Sequence, residues 1–77
     1  MNKTRREWIE NVISRLSELQ DELDNIASDE QDAFDNLPEG IQYSERGDAM
    51  TENVSDLEQA SSDIEKLVDA LNEIIER

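Results

Sequence analysis

Two heptad patterns lie either side of one short segment that holds the chain's only proline, Leu37-Pro38-Glu39-Gly40. Between them they take up most of the apolar residues. Before the segment, Ile9, Leu16 and Leu23 recur every seven residues, and Val12, Leu19, Ile26 and Ala33 follow three behind. After it, Met50, Leu57, Ile64 and Leu71 form one series, and Ala60, Leu67 and Ile74 the other. A 3–4 alternation of apolar residues is the seam of a coiled coil or helical bundle. The pattern predicts an all-α chain folded as an antiparallel two-helix hairpin.

The expected boundaries are a helix over about 3–36, a loop over about 37–43 and a helix over about 44–76, in a single domain. Pro38 cannot continue the first helix, and it biases Leu37 toward an extended backbone. Gly40 can supply a left-handed turn. Ser44 is the expected cap of the second helix, its hydroxyl accepting from the first turn, with Thr51 in reserve should the turn fray at Gly47. Glu45 and Asp48 complement the positive helix start. Each helix of roughly 33 residues spans about 50 Å at ~1.5 Å per residue.

So short a loop makes opposed residue numbers sum to about 83. That register sets Leu16 against Leu67, Leu19 against Ile64, Val12 against Leu71, Ile9 against Ile74 and Leu23 against Ala60. It also sets Glu30 opposite Asn53, a polar layer in an otherwise apolar seam. Apolar residues remain beside the seam: Val54, Val68 and Ile75 on the second helix, Ile13 and Ala27 on the first. A lone hairpin would leave them wet. Pairing of two hairpins into a four-helix bundle is therefore expected.

Charge separates the chain into unequal parts. Of 21 acidic and 7 basic side chains, residues 18–65 hold 16 acids and only Arg46. The net charge of −14 repels nucleic acids and anionic membranes and attracts basic proteins. No direct nucleic-acid or membrane partner is expected. Lys3, Arg5 and Arg6 are expected to lie near Glu73 and Glu76, at the negative end of the second helix. No apolar core follows these basic residues, so no signal peptide is expected. Apolar runs never exceed two residues, too short for a transmembrane helix.

The chain has no histidine and no cysteine. The usual general bases, nucleophiles and soft-metal ligands are missing, and so is any disulfide framework. Lack of cysteine suits a reducing cytoplasm. The acids Asp29, Glu30, Asp32 and Asp35 lack the glycine and alternating ligands of a calcium loop. With glycine only at 40 and 47, no phosphate-binding loop exists. No enzyme, cofactor or metal is expected.

The segment FDNLPEGIQYSERG, residues 34–47, lies between the acidic stretch DELDNIASDEQ and the alternating ENVSDLEQASSDIEKLVDALNEI. With these flanks it resembles a family of small, acidic, uncharacterised helical-hairpin proteins of phages and prophages. The resemblance implies a phage setting and so a host bacterial cytoplasm. It brings no catalytic residue. In that setting Arg46 is expected to brace the loop against Asp35 or Glu39.

The leading functional expectation is a non-enzymatic interaction protein, an acidic inhibitor of a basic host protein that handles nucleic acid or serves in defence. Binding would be distributed over Asp21, Asp24, Asp29, Asp32, Asp35, Asp48, Glu52 and Asp56. A second candidate patch is the loop tip around Phe34 and Tyr43, with Leu37 and Ile41; these residues could equally plug the end of the hairpin. Trp8, beside the seam at the open end, is a lid or a partner anchor. The alternative is a self-associating structural bundle built on the apolar rows. A third reading is a small-molecule sponge using Trp8, Arg15, Phe34, Tyr43 and Arg46.

Overall fold

The computed structural model describes all 77 residues. Helix α1 runs Lys3–Asp35, a single turn α2 runs Glu39–Gln42, and α3 runs Glu45–Glu76. The long helices pack along each other as an antiparallel hairpin measuring 59 × 14 × 11 Å. Asn2 caps α1, its side-chain oxygen accepting the Arg5 backbone N–H at 2.9 Å.

The expected loop is largely helical. Pro38 supplies the carbonyl that accepts from both Ile41 (2.9 Å) and Gln42 (3.1 Å), closing α2. Because the turn is right-handed, Gly40 needs no left-handed backbone, and no residue has a positive φ. Ser44 stands at the N-cap of α3 in an extended conformation, as expected, but its hydroxyl does not cap. That hydroxyl donates back to the Ile41 carbonyl, tying α3 to α2 instead. Arg46 is exposed and forms no ion pair, so it does not brace the loop. Gln42 does: its side-chain amide donates to the carbonyls of Phe34 (3.1 Å) and Asp35 (3.4 Å) at the end of α1. Gln42→Ala is expected to cost about 1 kcal/mol, the usual net worth of such bonds. Faster amide exchange at Asn36–Tyr43 would register the loss.

Gly47 is buried where α3 passes α2. A Cβ there would lie 2.6 Å from the Gln42 carbonyl carbon and 2.9 Å from its Cα. Sequence reading treats Gly47 as a weak point in the helix. The structure shows it as the position that lets two backbones meet.

The seam differs from the expected one by a rotation of both helices. One expected row is inside: Ile9, Leu16 and Leu23, continued by Glu30 and Leu37, are half-buried. Of the expected partner row, Val12 is half-buried but Leu19, Ile26 and Ala33 are exposed; the second covered row is Arg6, Ile13, Gln20, Ala27 and Phe34. On α3, Ala60 and Ile74 of the expected row stay half-buried while Leu67 is exposed. On α3 the series from Met50 to Leu71 is inside with Gly47, Val54, Ser61, Val68 and Ile75. Residues expected to lie outside are thus the best covered: Ala27 is 4% exposed and Val54 7%. Leu19 and Leu67, expected in the seam, are 49% and 55% exposed. Small side chains explain the choice. Ser61 and Ala27 let the axes of α1 and α3 approach closely, whereas leucines at those positions would hold them apart.

The register itself is close to expectation. Asn53 donates to Glu30 at 2.9 Å, numbers summing to 83, and Ser61 to Asp24 at 2.6 Å, summing to 85. Leu19 and Ile64, an expected pair, do line one groove together, although Leu19 is 49% exposed. The basic start of α1 does not pair with Glu73 or Glu76: the ion pairs are Lys3–Glu7 (3.9 Å) and Lys66–Asp63 (4.0 Å). Arg6 lays its stem in the seam, with its Nε buried and unpartnered.

Candidate protein-interaction surface

Rotation of the helices sorts the remaining side chains onto two unlike faces. On one face, Val12, Leu19 and Ile26 of α1 run beside Ala60, Leu67 and Ile74 of α3. Residues seven apart on a helix share a face, so each set forms a continuous row. Leu19, Ile26 and Leu67 are each about half exposed. Leu19, Leu23, Ile26 and Ile64 line a groove of ≈ 550 Å³ on this face, with Glu22 and Asn25 at its margin. A second groove lies nearer the loop, between Ile26 and Leu57, and its polar lining is Asp29, Glu30, Asn53 and Asp56. The Asn53–Glu30 bond lies across it. On the reverse face, Asp24, Ser28, Gln31 and Glu58 surround Ala27. That face is polar and is tied by the Ser61–Asp24 bond.

The eight candidate acids are all exposed, but they do not form one patch. Asp29 and Asp56 edge the apolar face, while Asp24 belongs to the reverse face. Asp35 accepts from Gln31 at 2.9 Å near the end of α1. Asp48 lies in the first turn of α3. Asp21, Asp32 and Glu52 point to solvent. Of the 21 acids, only Glu7 and Asp63 lie within ion-pair distance of a cation. Self-repulsion among the others opposes folding, and salt screens it. The melting temperature is therefore expected to rise as sodium chloride is raised from roughly 0.05 to 0.5 M, where the Debye length falls to a few ångströms.

The loop tip divides in two. Phe34 and Leu37 turn inward and close the seam, whereas Tyr43 is 80% exposed and Ile41 stands at the surface. Trp8 is 69% exposed, so it does not act as a lid on the open end. The residues expected to line a small-molecule site do not converge. Trp8 and Tyr43 lie toward opposite ends of the rod, and of the five only Arg15 lines any groove. No group of three or more Asp or Glu side chains comes together to hold a metal ion. No helix is long and apolar enough to cross a membrane.

Sequence reasoning names the residues of the apolar face but assigns most of them to the interior. A signal was present in the polar positions: Glu10, Ser17, Asp24 and Gln31 make one flank of α1 hydrophilic, so an apolar row on the other flank has no counterpart across the seam. Comparison with protein-family models, curated proteins and solved structures gives no match.

Proposed function

We propose that this chain is a non-enzymatic protein-interaction module whose docking surface is the apolar face of the hairpin. One observation carries the reading: Leu19 and Ile26 of α1 and Leu67 of α3 stand half exposed in two adjacent rows on one side of a rod whose other side is polar. Contiguous apolar surface of this kind, edged by charge, marks a contact with another macromolecule. Leu67→Asp is expected to abolish that contact while leaving the helical spectrum intact. Retained binding would place the contact elsewhere.

A second reading is favoured by the unpaired acids. They form a polyanionic exterior suited to a basic protein, such as a nucleic-acid-handling or defence protein in a phage-infected bacterial cytoplasm, which the hairpin would inhibit. Exposed charge pairs are worth about 0–1 kcal/mol each, so single changes would do little. Reversal of Asp21, Asp29, Asp32 and Asp56 to lysine should abolish capture of a basic partner from bacterial lysate, and high salt should do the same. Tyr43→Ala is the control for the loop tip. Loss of capture with Tyr43→Ala but not with the reversals would sink the acidic reading.

A further inference from the structure

We propose that the apolar face is covered by a second copy of this chain, laid across it antiparallel, loop end over open end. The proposal rests on that face being a docking surface and names its occupant. Both apolar rows are symmetric about a leucine. Val12 and Ile26 lie seven residues either side of Leu19, and Ala60 and Ile74 seven either side of Leu67. The register puts Leu19 and Leu67 within about three residues of one level along the rod, so a two-fold axis across the face between them sets Leu19 of each copy within a helical turn of the other and Val12 near Ile26 of the second copy. It likewise sets Ile74 near Ala60 of the second copy, large beside small. Such a self-matching contact closes as a dimer and gives a four-helix bundle.

The charged edges choose between the two ways of stacking the copies. Arg15 edges the face near the open end, beside Leu19 and Glu22. Arg77 stands three heptads beyond Asp56 on the other edge. Neither forms an ion pair within the hairpin. Toward the loop the edges are acidic: Glu22, Asp29 and Asp56. The reversal that matches the apolar rows also sets Arg15 opposite Glu22 of the second copy and Arg77 opposite its Asp56. It brings the exposed Trp8 over Glu30 of the second copy, at the groove beside Ile26. Parallel stacking would instead set acid on acid, and like charges across an interface act against a pairing.

The chain lacks cysteine, so Tyr43→Cys, at an exposed position, gives one unique site for a spin label. Sedimentation is expected to show two copies. Label-to-label distances should be on the order of 60 Å, about one hairpin length at ~1.5 Å per residue. Labels within about 25 Å, roughly two helix spacings, would overturn the antiparallel arrangement and leave self-association standing. A helical single copy at about 1 mM, near the millimolar end of the affinity scale, would overturn the second copy as occupant. Docking of a different protein on the face would then still be read from Leu67→Asp. Arg15→Glu should weaken the dimer about tenfold, and adding Glu22→Arg should restore it. A double variant no tighter than Arg15→Glu alone would overturn the charge pairing.

Discussion

Gly47→Ala is expected to lower the melting temperature by about 10 °C, although alanine is the better helix former. Helix propensity alone favours alanine over glycine by about 1 kcal/mol. Against this stands the backbone of Gln42, which the new methyl would meet well inside van der Waals distance. Overpacking typically costs about 1–3 kcal/mol. Here the obstacle is main chain held by its own α2 turn, so no rotamer change relieves it. The clash wins, for a net loss of about 2 kcal/mol, and 1 kcal/mol is worth about 4–8 °C in a domain of this size. Gly40→Ala is the matched control. It sits in a helical turn with nothing within 4 Å of the added carbon, and it should stabilise by about 0.4–1 kcal/mol. Thermal melts of the two variants moving in the same direction would contradict the account of Gly47.

Val54→Asp is expected to unfold the hairpin, while Leu67→Asp leaves it folded. Val54 is 7% exposed and lies in the seam near Glu30, so the new carboxylate would be both desolvated and beside a like charge. Unpaired buried charges are among the few single changes that reach about 4 kcal/mol, a large share of the stability of a small domain. Leu67 is 55% exposed, and an aspartate there meets water. Circular dichroism separates the two outcomes. The Leu67 variant should also lose any rise of melting temperature with protein concentration, because the surface that couples folding to association is spoiled. The reverse result, with Leu67→Asp unfolded and Val54→Asp helical, would restore the seam that the heptads first suggest.

That pair of variants marks where the sequence stops being legible. Helicity, the antiparallel turn, the Glu30–Asn53 contact and the register to within one residue all follow from heptad spacing and one proline. Which way each helix faces does not. Leu16 has an apolar neighbour three residues on, Leu19, and a polar one four residues on, Gln20. Hydrophobicity alone chooses Leu19. The hairpin chooses Gln20, because its row continues through Ala27 and lies beside Ser61, where small side chains permit close approach. Side-chain volume, summed over a whole row, overrides the preference of single positions. The acids were legible as exposed, since burying unpaired carboxylates is costly. Their distribution over different faces was not, because it depends on that same rotation. The role of Gln42 was hidden for another reason: its bonds depend on the α2 turn, and a proline-glycine segment of this kind reads as irregular.

The clasp formed by α2, Gln42 and Gly47 also sets the order in which the rod can assemble. Phe34 and Met50 are 16 residues apart along the chain, whereas Ile9 and Ile75 are 66 apart. Each doubling of the intervening length adds about 0.6 kcal/mol to the entropy of bringing the ends together. Contacts beside the turn are thus the least costly to make from the open chain, and each one formed shortens the effective span to the next. Loop entropy therefore favours closure from the clasp toward Trp8, and opening in the reverse order. On that count the end that carries Trp8, Arg15 and Arg77 is the last to close and the first to part. In the proposed dimer, each copy's late-closing end would rest on its neighbour's early-formed end.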